Sequence, residues 1–221
     1  MLKELFGVFK EGDLYSQALD ECHEMLDISQ KMYIASVESL RKSDSADVDL
    51  DIYAADQKIN AFERDVRRKV MTHLTISGKA ELTSGLVLVS IVVDIERIGD
   101  YAKNIYDLAV HHPNRLETGI VEKELGPIES KVTEILDEAI YCFKNDDVAL
   151  ARQLMTDYKE EVSRRCNELT FEMVKGNYSD LEATDLVTVA LYLRFLKRIA
   201  AHSRNMISSV VNPFERIGYP E

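Results

Sequence analysis

Leu86-Val87-Leu88-Val89-Ser90-Ile91-Val92-Val93-Asp94-Ile95-Glu96-Arg97-Ile98-Gly99-Asp100-Tyr101-Ala102-Lys103-Asn104-Ile105 is the stretch on which the fold turns. The part from Leu86 to Val93 is rich in β-branched residues and alone suggests a strand. After Asp94 the spacing becomes helical and continues through Ala102, Ile105, Leu108 and Ala109, so one uninterrupted helix explains both parts. A helix apolar on nearly all sides is a central one. It stops at His111-His112-Pro113-Asn114, because proline disfavours helical geometry at the residue before it.

Within this helix Glu96 and Asp100 lie about 40° apart around the axis, so both carboxylates face the same way. Two anions that close repel unless something positive stands between them. Two candidates follow from the sequence. A divalent metal suits carboxylates whose lone pairs are free; alternatively Lys103 on the same face, or Arg97 beside it, neutralises the pair on a solvated surface.

An echo of the stretch occurs 101 positions further on, where Arg198, Ile199 and Asn205 fall on Arg97, Ile98 and Asn104. The same displacement places Asp157 on Asp56, Lys159 on Lys58, Arg165 on Arg64, Glu182 on Glu81 and Thr184 on Thr83, with no gap. A fixed register of this kind is the signature of internal duplication.

The remaining segments fill out two copies of one unit. Ala18, Cys22, Met25, Ser29, Met32, Ser36, Val37 and Leu40 recur at helical spacing along a first helix, about Ser16 to Arg41. A polar turn leads to a second helix from about Val48 to Ile76, ended by Gly78. There Ile52, Ala55, Ile59, Phe62, Val66, Val70 and Leu74 form the buried stripe, and Asp49, Asp56, Asn60 and Glu63 gather on another face. Asp56, Asn60 and Glu63 are the natural partners of Glu96 and Asp100 in a metal site if the helices pack side by side. Pro127 suits the first turn of a fourth helix, whose inward residues are Ile128, Val132, Ile135, Leu136, Ala139 and Phe143. Asn145-Asp146-Asp147 caps a fifth, Val148 to about Lys175, and a sixth runs from near Glu182 to Val211. The expected fold is all-α, with six long helices in two pseudo-repeated antiparallel three-helix bundles, residues 1–114 and 115–221.

The second copy departs from the motif, since Lys197 stands for Glu96 and Ala201 for Asp100. The expectation is a pseudo-site in which Lys197 or Arg198 pairs with Asp157 or Glu161 where metal would otherwise sit. Anion binding by Arg194, Arg198 and His202, spaced along one face, is the alternative.

The segment E-R-I-G-D-x-A-x-N-I, preceded by an apolar run and an upstream helix bearing Asp56-Gln57-Lys58, resembles the PhoU family over about Leu19 to Val211. The resemblance implies tandem three-helix units in a cytoplasmic regulator of phosphate uptake and phosphate-responsive signalling, with carboxylate motifs that can hold metal clusters; the residues themselves leave the divalent metal open among Mg, Mn, Fe and Zn. The partners it implies are the ATPase subunit of an ABC phosphate transporter and a membrane sensor kinase, with peripheral membrane association through them and self-association as a homodimer. Three other readings stay open: an accessory subunit of an ion-coupled phosphate carrier, a metal-binding bundle unrelated to phosphate control, and a metal-free helical adaptor.

Composition sets outer limits. The 27 Lys+Arg against 39 Asp+Glu give a net charge of −12, which argues against binding along a nucleic-acid backbone. Cys22, Cys142 and Cys166 lie far apart at apolar helical positions and read as reduced core thiols. Met1 to Lys10 holds no continuous apolar run, and the least polar stretch, Leu82 to Val93, is 12 residues long where a bilayer needs about 20, so neither secretion nor membrane insertion is expected. Met1 to Gly12 carries Leu2, Leu5, Phe6 and Phe9 on one side and is expected to pack on the core. No nucleotide-loop, zinc-protease or serine-hydrolase motif occurs, so the expectation is a protein that is not an enzyme. His23 and His73 read as surface or boundary residues.

Overall fold

A computed structural model describes residues 13–77 and 81–219; the segment Met1 to Gly12 and the helix stop at Gly78 lie outside them. The described residues form α1 (Leu14–Lys42), α2 (Ile52–Ser77), α3 (Leu82–His111), α4 (Glu122–Asn145), α5 (Val148–Asp157), a π-helical turn (Tyr158–Ser163), α6 (Arg164–Val174) and α7 (Ala183–Val211). Among the described residues there is no strand, and no helix is long and apolar enough to cross a membrane. Since α5, the π turn and α6 form one continuous rod, the chain has the six long helices expected, in two groups of three.

Local chemistry fixes where the helices start. The Asp13 carboxylate accepts from Ser16 N–H at 2.8 Å and caps α1. Asp51 does the same for Ala54 N–H at 2.9 Å, so α2 begins at Ile52 rather than Val48, and Asp49 is left in the loop before it. Helix α4 starts five residues ahead of Pro127. Its first residue, Glu122, is held by Arg41 at 2.5 Å and by Thr118, and that anchor extends the helix back past the proline, whose missing N–H removes one helical bond. Asp146 adopts φ 58° after α4, and Asp147 caps α5 through Leu150 N–H at 3.0 Å.

Helix α3 packs on α1, α2 and α7, and α7 in turn on α3, α4, α5 and α6. The two bundles therefore share one core, running from Met25, Met32 and Ile59 through Ile91, Ile95 and Ile98 to Leu136, Leu193 and Ile199. All three cysteines are free and buried. The bundles meet where α3 crosses α7. Tyr101 stacks on His202 with ring centroids 5.7 Å apart and planes 20° from parallel. These two residues occupy the same position in their helices, 101 apart, so the crossing is a pseudo-twofold one. On either side Tyr101 meets Phe195, while His202 Nδ1 bonds to Asp94 at 2.7 Å.

The register of the duplication is not uniform. Buried positions of α3 recur in α7 at a displacement of 101, as in Leu88 and Val189, Val92 and Leu193, Ile98 and Ile199. In the middle helices the buried pairs are Ile52 with Ala151 and Ala55 with Leu154, a displacement of 99, then Val66 with Cys166 and His73 with Met173, a displacement of 100. These pairs step from 99 to 100 across the π turn, which inserts one residue, while the buried Val70 and Leu169 stay at 99. Asp56 and Asp157, Lys58 and Lys159, and Arg64 and Arg165, matched in sequence, therefore do not fall on equivalent packed positions. Measured by burial, Asp56 corresponds to Met155, Asn60 to Lys159 and Glu63 to Ser163.

Gly99 explains the small residue between the two motif carboxylates. A Cβ there would lie 2.7 Å from Ile59 Cδ1 and 3.2 Å from Ser29 Oγ, so its absence lets α3 settle between α2 and α1. Gly99→Val is expected to destabilise the fold by about 1–3 kcal/mol, read as a melting temperature lower by about 2–4 °C per kcal/mol. An unchanged melting curve would contradict this packing.

Candidate functional site

Helices α2 and α3 lie side by side and bring Asp56, Asn60 and Glu63 to the face that carries Glu96 and Asp100. The anions are met by long cations from the same two helices. Lys103 Nζ bridges the helices, 2.8 Å from Asp56 Oδ1 and 3.1 Å from Asp100 Oδ1. Arg97 takes the other Asp100 oxygen at 2.6 Å and approaches Glu96 at 3.4 Å. Asn60 donates to Asp56 at 3.2 Å, and Glu63 turns to Arg67 at 2.8 Å. Asp49, in the loop, is not part of the α2 face.

Glu96 is the exception in this balance. Burial pushes its carboxyl up from 4.5 to about 7, reinforced by the neighbouring negative charges of Asp100, Glu63 and Asp56 against a partial offset from Arg97. The donor set has the hard oxygen chemistry a divalent cation wants. As placed, however, the side chains do not fit one. Among the described residues no three His, Cys, Asp or Glu side chains converge as ligands, and the Lys103 ammonium stands between the two nearest carboxylates.

The second-repeat pseudo-site is not assembled. Lys197 donates to Asn167 Oδ1 at 2.7 Å. Asp157 faces α4, paired with Lys131 at 2.9 Å, and Glu161 pairs with Arg165 on its own rod at 3.6 Å. The shifted register is the reason, because Asp157 occupies the place of Lys58 rather than of Asp56. Arg198 turns to α3, where its Nε donates to the Tyr101 hydroxyl at 3.2 Å and its guanidinium lies over the ring at 5.6 Å. With His202 also committed there and Arg194 exposed elsewhere, the three do not form an anion site.

The inter-repeat contact was missed by sequence reasoning. Asp94 Oδ1 accepts from His202 Nδ1 at 2.7 Å and from Asn205 Nδ2 at 3.1 Å. Arg198 Nη2 lies 2.9 Å from His202 Nε2. A guanidinium only donates, so Nε2 carries the lone pair and Nδ1 the proton that Asp94 receives. The one signal available was an aspartate following an apolar run. His73, read as a surface or boundary residue, is buried, with its Nε2 against Glu81 and its ring near Tyr15.

These features define a class: a tandem three-helix-bundle protein whose halves share a core and whose first half carries a cation-bridged carboxylate face. The chain belongs to the PhoU family, since the PhoU domain profile matches residues 22–109 and again 128–218. A phosphate-specific transport system accessory protein PhoU homolog of Pseudomonas aeruginosa is 29% identical over 160 residues, which span 71% of this chain and 65% of that relative. PhoU homolog 1 of Thermotoga maritima is 22% identical over 84% of this chain and 83% of its own length. In fold, the crystal structure of PhoU from Pseudomonas aeruginosa matches with a TM-score of 0.78 at 24% identity, over 90% of this chain and 95% of its own. The phosphate transport system regulatory protein PhoU from Streptococcus pneumoniae matches at 0.69 and 14%, over 88% and 92%.

The Glu96 shift sets a pH dependence. Between 4.5 and about 7 the native carboxyl keeps a proton that the unfolded chain has lost, so stability falls as pH rises through that window. Glu96→Gln is expected to flatten the profile there and to melt higher than the parent above pH 7 in chelated buffer. A lower melting temperature at pH 8 would refute it. Lys197→Ala, removing a contact to one asparagine, is expected to change stability by less than about 0.5 kcal/mol.

Proposed function

We propose that this chain regulates phosphate uptake and phosphate-responsive signalling in the cytoplasm by contact with a phosphate transporter and a membrane sensor kinase, without catalysis of its own. The observation that carries the reading is the match of both halves to the PhoU profile, together with relatives named as accessory proteins of phosphate-specific transport systems. The surface supports contact at equivalent places in the two repeats. Met71, Ile76, Leu82 and Leu86 are exposed where α2 leads to α3, and Phe171, Val174, Val187 and Leu191 where α6 leads to α7. Self-association as a homodimer belongs to the same reading.

Recovery of the tagged chain with its bound proteins from phosphate-replete and phosphate-starved cells tests this. An ABC phosphate-transporter ATPase and a sensor kinase are expected, in amounts that change with phosphate. Recovery of an ion-coupled phosphate carrier instead would make the chain that carrier's accessory subunit, and absence of any phosphate-system protein would overturn the proposal.

A second reading, divalent metal on the first-repeat face, is favoured by the charge balance. Four carboxylates face three cations, and Glu96 is left holding a proton near neutrality. Metal held by Asp56, Asn60, Glu63, Glu96 and Asp100 requires Lys103 to withdraw. Lys103→Met is therefore expected to tighten Mn²⁺ binding at least tenfold by calorimetry, and Asp100→Asn to weaken it. No Mn²⁺ binding by Lys103→Met would exclude metal from this face.

A further inference from the structure

The place in the second repeat that corresponds to the carboxylate face is a cavity of 620 Å³ whose charge is reversed. Its walls include Arg152 and Thr156 of α5, Tyr158, Lys159 and Ser163 of the π turn, and Arg204 of α7. By the register that burial defines, Met155 in its wall takes the place of Asp56, Lys159 that of Asn60 and Ser163 that of Glu63. On α7 Lys197 replaces Glu96, Ala201 replaces Asp100, and Arg204 keeps the positive charge of Lys103. Every acid of the first-repeat face is gone and the bridging cation remains.

We propose that this cavity binds a small anion bearing phosphoryl groups. Arg152, Lys159 and Arg204 line it, three cations to one acid in a chain whose net charge is −12. The one acid in the wall, Glu160, lies toward Arg164 at 3.7 Å on the solvated side of the rod. Arg204 is fixed but not saturated. Its guanidinium lies 5.3 Å over the Tyr158 ring, and its bonds to the Gly218 carbonyl and, at 3.3 Å, to Asn205 Oδ1 both run through Nη2. Its Nε is buried without an acceptor, and Nη1 has none among the described residues. Lys159 is exposed and has no ion-pair partner among the described residues. The Arg204 guanidinium, the Lys159 ammonium and the hydroxyls of Thr156, Tyr158 and Ser163 are the donor set that tetrahedral phosphoryl oxygens take. The volume exceeds what a single orthophosphate fills and accommodates a pyrophosphate or a nucleotide. The π turn is what builds the site: its extra residue widens the rod where α2 is regular and brings Tyr158 and Lys159 to the wall.

The proposal goes beyond the regulatory reading and is tested without transporter or kinase. The purified full chain is titrated by calorimetry with orthophosphate, pyrophosphate and ATP, without metal and at constant ionic strength. Saturable binding of at least one is expected. A preference for orthophosphate assigns the site to the free anion, and a preference for ATP or pyrophosphate to a larger phosphoryl compound. Lys159→Glu, at an exposed position where folding is not at stake, is expected to weaken binding at least tenfold. Lys123→Glu on α4, away from the cavity wall, makes the same change in net charge and is expected to leave affinity within twofold. No binding of any of the three by the parent chain, or equal losses in the two variants, overturns the proposal.

Discussion

Where α3 crosses α7, a phenol ring lies flat on an imidazole, and the Asp94 carboxylate of one repeat receives two N–H donors from the other. That contact is the constraint on which the rest depends. Neither three-helix bundle closes a core by itself, because α3 and α7 are apolar on the sides they turn to each other, and each covers the other's exposed stripe. Pairing them forces the polar groups at the crossing out of water. An unpaired buried acceptor costs about 1–3 kcal/mol, and here Arg198, His202, Asn205 and Tyr101 satisfy one another and Asp94 in a single chain of donors. The direction of that chain is fixed by Arg198, which can only give protons. The two halves are tied a second time by Arg41, which joins the end of α1 to Glu122, Glu129 and the Leu116 carbonyl of the second half.

Because the crossing holds the last helix of each repeat at one displacement, α3 and α7 have kept register over their whole length. The middle helices pack on one side only and have not. The second rod starts earlier under the Asp147 cap and takes one extra residue in the π turn, so it meets α7 in a changed phase. At Asp157 the displacement is 99 where α7 keeps 101, a phase change of two residues that turns a side chain by about 200°. That suffices to aim Asp157 at Lys131 on α4 instead of at α7.

The parts of the fold that were legible in the sequence are those set by periodicity and caps. Ala18 through Leu40 on α1 and Ile128 through Phe143 on α4 announced their buried stripes, and Pro113 announced the end of α3. What failed was phase between distant segments. Identical letters at a constant spacing, such as Asp56 and Asp157, look like homologous positions, whereas the burial pattern that distinguishes 99, 100 and 101 exists only once the helices pack. The start of α4 failed for a related reason, since its anchor is a guanidinium more than seventy residues earlier in the chain. At the carboxylate face, spacing correctly grouped Glu96 with Asp100 and named Lys103 and Arg97 as their possible neutralisers, but spacing is silent on which cation reaches across to the neighbouring helix.

The two faces show how much that silence matters. Lys103 and Arg204 occupy one position in two copies of a helix, and each is a cation half-covered by the rod beside it. In the first repeat the rod supplies Asp56 and α3 supplies Asp100, so the ammonium is consumed as a counter-ion and the site is closed to other ligands while it stays. In the second repeat the corresponding positions are Met155 and Ala201, which offer no acceptor, and the guanidinium turns to a ring face and a backbone carbonyl with donors left over. A cation with its acids is a cross-link; the same cation without them is a binding group. Carboxylates present in one copy and absent from the other therefore change what the equivalent face can hold.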